Sequence, residues 1–159
     1  MKPLNIKGIE NGWLVDEKVW RGAQPDDAAW LLLAAAGCRS VIDLNNSGAV
    51  IEPQRTLVST AGMLYVSLDW SGILPPSLAK VDDALFAIDA GPNPTFVHCQ
   101  HGSDRTGTLC ACWRIHNDKW SFDQAMQEAF FSLGTQGLHE FWMAAAVAEY
   151  AERVQILRP

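Results

Sequence analysis

Apolar and polar residues alternate in short blocks along this chain, and most blocks end at Gly, Pro or Asn. Residues 13–21 carry short apolar runs that predict a hairpin or edge strands. Pro25 opens a predicted helix, with Asp26 and Asp27 in the first turn where the helix dipole favours acids. The helix continues through AAWLLLAAA to Gly37. Residues 40–44 (SVIDL) read as a buried strand closed by the turn Asn45-Asn46-Ser47-Gly48. Residues 52–61 predict a helix ended by Gly62, residues 63–68 a second strand, and residues 69–76 a loop rich in turn formers. Leu78, Val81, Leu85 and Ile88 line one face of the next helix, which Gly91, Pro92 and Pro94 end. Residues 95–98 form a third predicted strand. Beyond it TGTLCACWRIH is apolar on nearly every side, the pattern of a helix buried within a domain. Ser121 and Gln124 spell a capping box for a helix that Gly134 closes, and the last helix covers 138–154.

Strands alternating with helices predict an α/β fold: a single domain over residues 1–159 with a mainly parallel central sheet flanked by helices on both faces. Ligands of such sheets sit beyond the carboxyl ends of the strands. Asp69 and Cys99 each lie just past a predicted strand, so both can face one site.

With 159 residues, 48% of them hydrophobic and 19% charged, the chain can bury a core. A net charge of -6 argues against a nucleic-acid backbone as partner, and none is expected. Cys110 and Cys112 stand too close together for the usual metal-binding spacer, and so apolar a chain has no need of a disulfide framework. No opening segment resembles a signal peptide and no segment predicts a membrane span, so a cytoplasmic location is expected.

The segment from His98 to Gly107 reads HCQHGSDRTG, between a buried strand and a buried helix. Successive backbone N–H groups there can turn inward as an anion nest, aided by the helix amino end. Gly102 permits the backbone angles of so tight a loop, and Arg105 can hold two phosphoryl oxygens through its planar fork. Cationic surroundings favour a nucleophilic thiolate, the form in which Cys99 can attack phosphorus, and the hydroxyl of Thr106 can hydrogen-bond the sulfur. A thiolate, an oxyanion cradle and an arginine supply the positioning and charge stabilisation that phosphoryl transfer needs.

His-Cys, two residues, Gly, two residues, then Arg-Thr-Gly resembles the signature of the protein tyrosine phosphatase superfamily. The layout upstream, with Arg21-Gly22-Ala23-Gln24-Pro25 before a helix and then Val41-Ile42-Asp43-Leu44, resembles its dual-specificity-like branch, above all the small bacterial members. The likeness covers about residues 15–135. It implies a cysteine-phosphatase fold and hydrolysis of phosphate monoesters, either of phosphotyrosine alone or of phosphoserine and phosphothreonine as well, with no metal or organic cofactor. By the same resemblance Cys99 is the nucleophile, Arg105 the phosphate-binding arginine, Thr106 the hydroxyl that assists breakdown of the phosphoenzyme, and His98 the residue behind the thiolate. The resemblance likewise implies that Asp69, thirty residues before Cys99, is the general acid. Gln100, His101, Gly102, Ser103, Asp104 and Arg105 form the substrate loop.

Asp104 departs from the commonest pattern; a similar Asp occurs in myotubularin-like and Sac-like lipid phosphatases, so it is either an alternative acid or a loop tether. The loop lacks the lysines of many phosphoinositide phosphatases, while His101 before Gly102 resembles RNA 5′-triphosphatases. A phosphoinositide, inositol phosphate or RNA 5′ phosphate thus stands as the alternative substrate, and a phosphate-binding module without turnover as the non-enzyme alternative. Arg21 is expected to be a salt-bridging surface residue, Asp43, Asp82 and Asp83 to be structural or solvated, Cys110 and Cys112 to be core residues, and His116 and His139 to face solvent.

Overall fold

Four parallel strands bring their carboxyl ends to one edge of a six-stranded sheet, and the loops that follow them share that edge. The structure, a computed structural model, describes residues 1–132 and 141–157. Its strands are β1 (Lys2–Pro3), β2 (Trp13–Leu14), β3 (Val19–Ala23), β4 (Ser40–Asp43), β5 (Leu64–Ser67) and β6 (Thr95–Cys99), in the order β1-β2-β3-β6-β4-β5. The first three are antiparallel. The helices are α1 (Ala29–Ala35), α2 (Gly48–Thr60), α3 (Leu78–Ala90), α4 (Asp104–Asn117), α5 (Phe122–Met126) with a π-helical turn over Gln127–Ser132, and α6 (Phe141–Leu157).

Strand β6 is central, between β3 and β4, and its side chains alternate between two cores as the pleat requires. Phe96 packs with Trp30, Leu33 and Val58 under α1 and α2. Val97 and Cys99 pack on the other side with Leu109, Trp113 and Val147 from α4 and α6. Both faces are therefore covered, and the architecture is the α/β one, with a mainly parallel sheet, that the alternation of elements predicts.

Two helix starts differ from the sequence reading. Helix α1 begins at Ala29, not Pro25, because Asp26 is tied elsewhere: its N–H donates to Gly8 O at 3.0 Å, and its Oδ1 accepts from Ala29 N at 2.9 Å. Asp26 thus braces the turn that leads into the helix instead of joining it, and Ala28 is the residue at the N-cap. Helix α2 begins four residues early, at Gly48, since Ser47 O already accepts from Val50 N at 3.0 Å and Ile51 N at 3.2 Å. The predicted turn shrinks to residues 45–47. The Ser121–Gln124 capping box is present in both directions, at 3.2 and 2.9 Å. Gly134, His139 and the start of the predicted last helix at Leu138 lie outside the described residues. His116 is not simply solvated: its ring nitrogens meet Tyr150 Oη at 3.1 Å and Asp89 Oδ2 at 2.9 Å, joining α4 to α6 and α3. No helix among the described residues is long and apolar enough to cross a membrane.

Candidate active site

Cys99 ends β6 and is 3% exposed, and the chain then turns through Gln100–Ser103 into α4. The loop's carbonyls are held from outside. Gln24 N donates to Gln100 O at 3.2 Å, Asn11 Nδ2 to His101 O at 3.3 Å and Gly102 O at 3.0 Å, and Arg21 Nη2 also to Gly102 O. In a trans peptide the N–H points opposite to the preceding C=O. Outward carbonyls on Gln100, His101 and Gly102 therefore turn the amides of His101, Gly102 and Ser103 inward. Among the described residues, no acceptor bonds the backbone N–H of Gln100, His101, Gly102, Ser103 or Arg105. Inward amides without internal acceptors at a helix amino end make an anion cradle.

Gly102 is required there on two counts. Its φ is +68°, and a Cβ would strike the backbone of Gly22 and Ala23 in β3. The RGAQ segment upstream is thus the wall on which the loop rests.

Arg105, on the first turn of α4, reaches over the carboxyl edge. Its Nη1 donates to Leu44 O at 3.2 Å and Trp70 O at 3.4 Å. A cleft of about 430 Å³ opens beside it, lined by Gln24, Asn45, Asn46, Ser47, Val50, Gln100 and Arg105. Arg105 is the one charged side chain in that wall; the rest are neutral amides, one hydroxyl and one valine.

Thr106 is fully buried and its hydroxyl has no partner among the described residues, so it does not bond Cys99 Sγ. His98 lies on the opposite sheet face from Cys99, against Trp30 and Phe96 at ring distances of 5.6 and 5.9 Å. Burial lowers its pKa, an effect the nearby Asp43 partly opposes at 3.9 Å. Asp43 itself is structural: it accepts from Asn45 N at 2.8 Å and from Tyr65 Oη at 2.6 Å, which fixes the turn carrying the Leu44 carbonyl. Burial pushes the Cys38 and Cys110 thiols up to about 11 and raises Cys112 further, the behaviour of inert core thiols.

Asp69 does not line the cleft. It is exposed, in the left-handed region at φ +27°, and its carbonyl accepts from Lys80 Nζ. Its carboxylate makes no hydrogen bond or ion pair among the described residues. The next residue, Trp70, is buried in the core and anchors the loop beside Arg105. Asp104 also lies outside the cleft lining, as the first residue of α4, where its carbonyl accepts from Thr108 Oγ1 at 2.9 Å.

Arg21 is not the expected surface salt-bridging residue. It is 1% exposed, and no carboxylate pairs with it among the described residues. The sequence does not single out Asn11, Asn45, Asn46 or Ser47 as site residues. The RGAQP string is a signal for Arg21 and Gln24, but nothing local marks Asn11.

The family model described as DSP-PTPase phosphatase fused to NAD+ kinase matches residues 8–143. The chain is 25% identical over 146 residues to Protein tyrosine phosphatase domain-containing protein 1 of Danio rerio, a match covering 79% of this chain and 20% of that protein. The chain therefore spans about a fifth of the length of that relative. Among solved structures, PTPMT1 in complex with PI(5)P superposes with a TM-score of 0.80 at 19% identity, over 93% of this chain and 99% of that one. TpbA of P. aeruginosa in complex with pTyr gives 0.70 at 20% identity, over 91% and 90%. At such identities these structures speak for the shared fold alone.

Proposed function

The chain belongs to the DSP-PTPase phosphatase family described as fused to NAD+ kinase, within the protein tyrosine phosphatase superfamily, and on that premise we propose that residues 1–159 act as one phosphatase domain hydrolysing phosphate monoesters, phosphotyrosine foremost, through a cysteinyl-phosphate on Cys99. One observation carries the reading: Cys99 opens a loop whose amides face inward without internal acceptors, with the Arg105 fork beside it.

In the proposed reaction, Cys99 Sγ attacks phosphorus, the S–P bond forms and the ester P–O bond breaks. Asp69 gives its proton to the leaving oxygen. The amides of Gln100, His101, Gly102, Ser103 and Asp104, together with Arg105, take up the charge on the phosphoryl oxygens. In the second step Asp69 accepts a proton from water, whose oxygen attacks phosphorus, and the S–P bond breaks to release inorganic phosphate. Thr106 donates to the departing thiolate; its unpartnered hydroxyl is available for that role. His98 supports Cys99 from the far side of the sheet, as a buried neutral ring.

A second reading, a non-protein ester, is favoured by the cleft wall. Gln24, Asn45, Asn46, Ser47 and Gln100 offer neutral donors and acceptors suited to a hydroxylated leaving group, whereas Val50 is the one apolar residue there. PI(5)P and pTyr, the ligands of the two structural neighbours, frame the choice. A single positive side chain disfavours polyphosphorylated substrates.

The experiment is a turnover panel of phosphotyrosine and phosphothreonine peptides, phosphoinositides, sugar phosphates and RNA 5′ ends, with acid-quenched intact-mass analysis. A phosphate adduct on Cys99 is expected, lost in Cys99→Ser together with turnover. Undiminished turnover by Cys99→Ser overturns the mechanism, and phosphate binding without turnover of any ester leaves a recognition module.

A further inference from the structure

Two buried arginines in this fold are treated differently. Arg114 is 8% exposed and fully compensated: it meets Glu128 at 2.8 and 3.0 Å, Asp118 at 2.7 Å and Val15 O at 2.9 Å. Arg21 is more deeply buried, yet it has no carboxylate among the described residues, and its Nε has no hydrogen-bond partner. A guanidinium taken out of water without a counter-charge is strongly disfavoured. Among the described residues its one side-chain hydrogen bond goes to Gly102 O, at the apex of the loop whose amides face inward.

Asn11 converges on the same carbonyl from the amino-terminal segment. Its side chain is held by a second contact, Trp13 Nε1 donating to Asn11 Oδ1 at 3.0 Å. The carboxamide therefore presents Nδ2 to His101 O and Gly102 O. Two donors on one carbonyl fix the Gly102–Ser103 peptide plane, and with it the direction of the Ser103 amide.

We propose that Arg21 and Asn11 are positioning residues for phosphate binding: they anchor the Gly102 carbonyl so that the loop amides aim inward, and the missing counter-ion of Arg21 is the anion bound on the other side of the loop. This rests on reading the loop as a phosphate cradle. Neither residue touches the phosphate; both act through the loop.

Asn11 provides the cleaner test because its φ of 51° is left-handed, a conformation Asp and Gly also adopt. Asn11→Asp keeps the turn and the acceptor for Trp13 but removes the donor, and Asn11→Gly removes donor and acceptor alike without adding charge. In the full chain, the dissociation constant for inorganic phosphate is measured by calorimetry, and KM and kcat with p-nitrophenyl phosphate. Loss of the two hydrogen bonds to the loop carbonyls, common to both variants, predicts phosphate binding weaker by about tenfold. KM should rise in step while kcat changes by less than about threefold, because the cradle holds ground state and transition state alike.

For Arg21, the substitution to Gln retains a donor and removes the charge, whereas Lys retains the charge. Phosphate affinity should fall further in Arg21→Gln than in Arg21→Lys. The proposal is overturned if both Asn11 variants bind phosphate and the ester as the wild type does. It is equally overturned if kcat falls at constant KM, since that is the mark of a smaller folded fraction. A wild-type chain that neither binds inorganic phosphate nor turns over the ester removes the cradle itself, a different failure, and this proposal goes with it.

Discussion

Arg105 Nη1 donates to the backbone carbonyl of Trp70 at 3.4 Å, so the one cation lining the cleft is also tied to the loop that carries Asp69. Trp70 is fully buried, which gives that loop a fixed root beside an exposed aspartate. The second bond of Nη1, to Leu44 O, ties the guanidinium to the turn braced by Asp43. Arg105 thus connects the cradle, the turn after β4 and the loop after β5.

A lysine cannot reproduce that fork. Arg105→Lys should lower kcat/KM for an aryl phosphate by about 10²-fold or more, through both KM and kcat. Steady-state kinetics beside a thermal melt checks this. Near wild-type kinetics would mean that the guanidinium does not hold the phosphoryl group.

Gly102 and Gly62 form a matched pair. Both are left-handed, at φ +68° and +82°, but a Cβ at Gly62 meets nothing within 4 Å, whereas one at Gly102 strikes Gly22 and Ala23. Both alanine variants should be destabilised by about 1–3 kcal/mol from the backbone conformation, measured by denaturant midpoint. Gly102→Ala alone should also lose phosphate affinity, because the loop must move away from β3. Equal activity in the two variants would contradict the role of that contact.

These contacts separate what the sequence reveals from what it conceals. His98–Thr106 is a continuous string between a strand and a helix, so its chemistry is legible locally. So is the parallel sheet, because β4, β5 and β6 are short apolar runs separated by helical periodicity. The supports of the loop are not local: Asn11 and Arg21 lie 91 and 81 residues from Gly102. The RGAQP string marks Arg21 without naming its partner, and an Asn in a turn carries no mark at all. Residues 45–47 read as a turn, and only the sheet order places them against Arg105.

The pH dependence of stability offers a test of the buried His98. Its pKa is lowered from the ordinary 6.5, first by burial, with Asp43 opposing. A histidine depressed in the folded state takes up its proton more readily when unfolded. Stability should therefore be intact above about 6.5 and decline as pH falls from there toward the folded-state value. NMR titration of the ring should show His98 still neutral at a pH where an exposed histidine is charged. A His98 ring that titrates at or above 6.5 would contradict its burial as a neutral group.

Assignment of the general acid is the sharpest test of the proposed chemistry. Asp69 has an exposed carboxylate without a hydrogen bond or ion pair among the described residues, on a loop rooted by Trp70 next to Arg105. Asp104 begins α4, at the end of the loop proposed to cradle the phosphate, and its carbonyl is engaged by Thr108. An acid matters most when the leaving group is basic, since such an oxygen needs its proton in the transition state. Asp69→Asn should slow hydrolysis of phosphotyrosine or an alkyl phosphate by about 10²-fold, and an activated nitrophenyl ester far less. It should also remove the alkaline limb of the pH–rate profile for the first chemical step. Asp104→Asn should show neither effect. If Asp104→Asn shows the leaving-group dependence and Asp69→Asn does not, the proton comes from within the phosphate loop, and the roles of the two aspartates are exchanged.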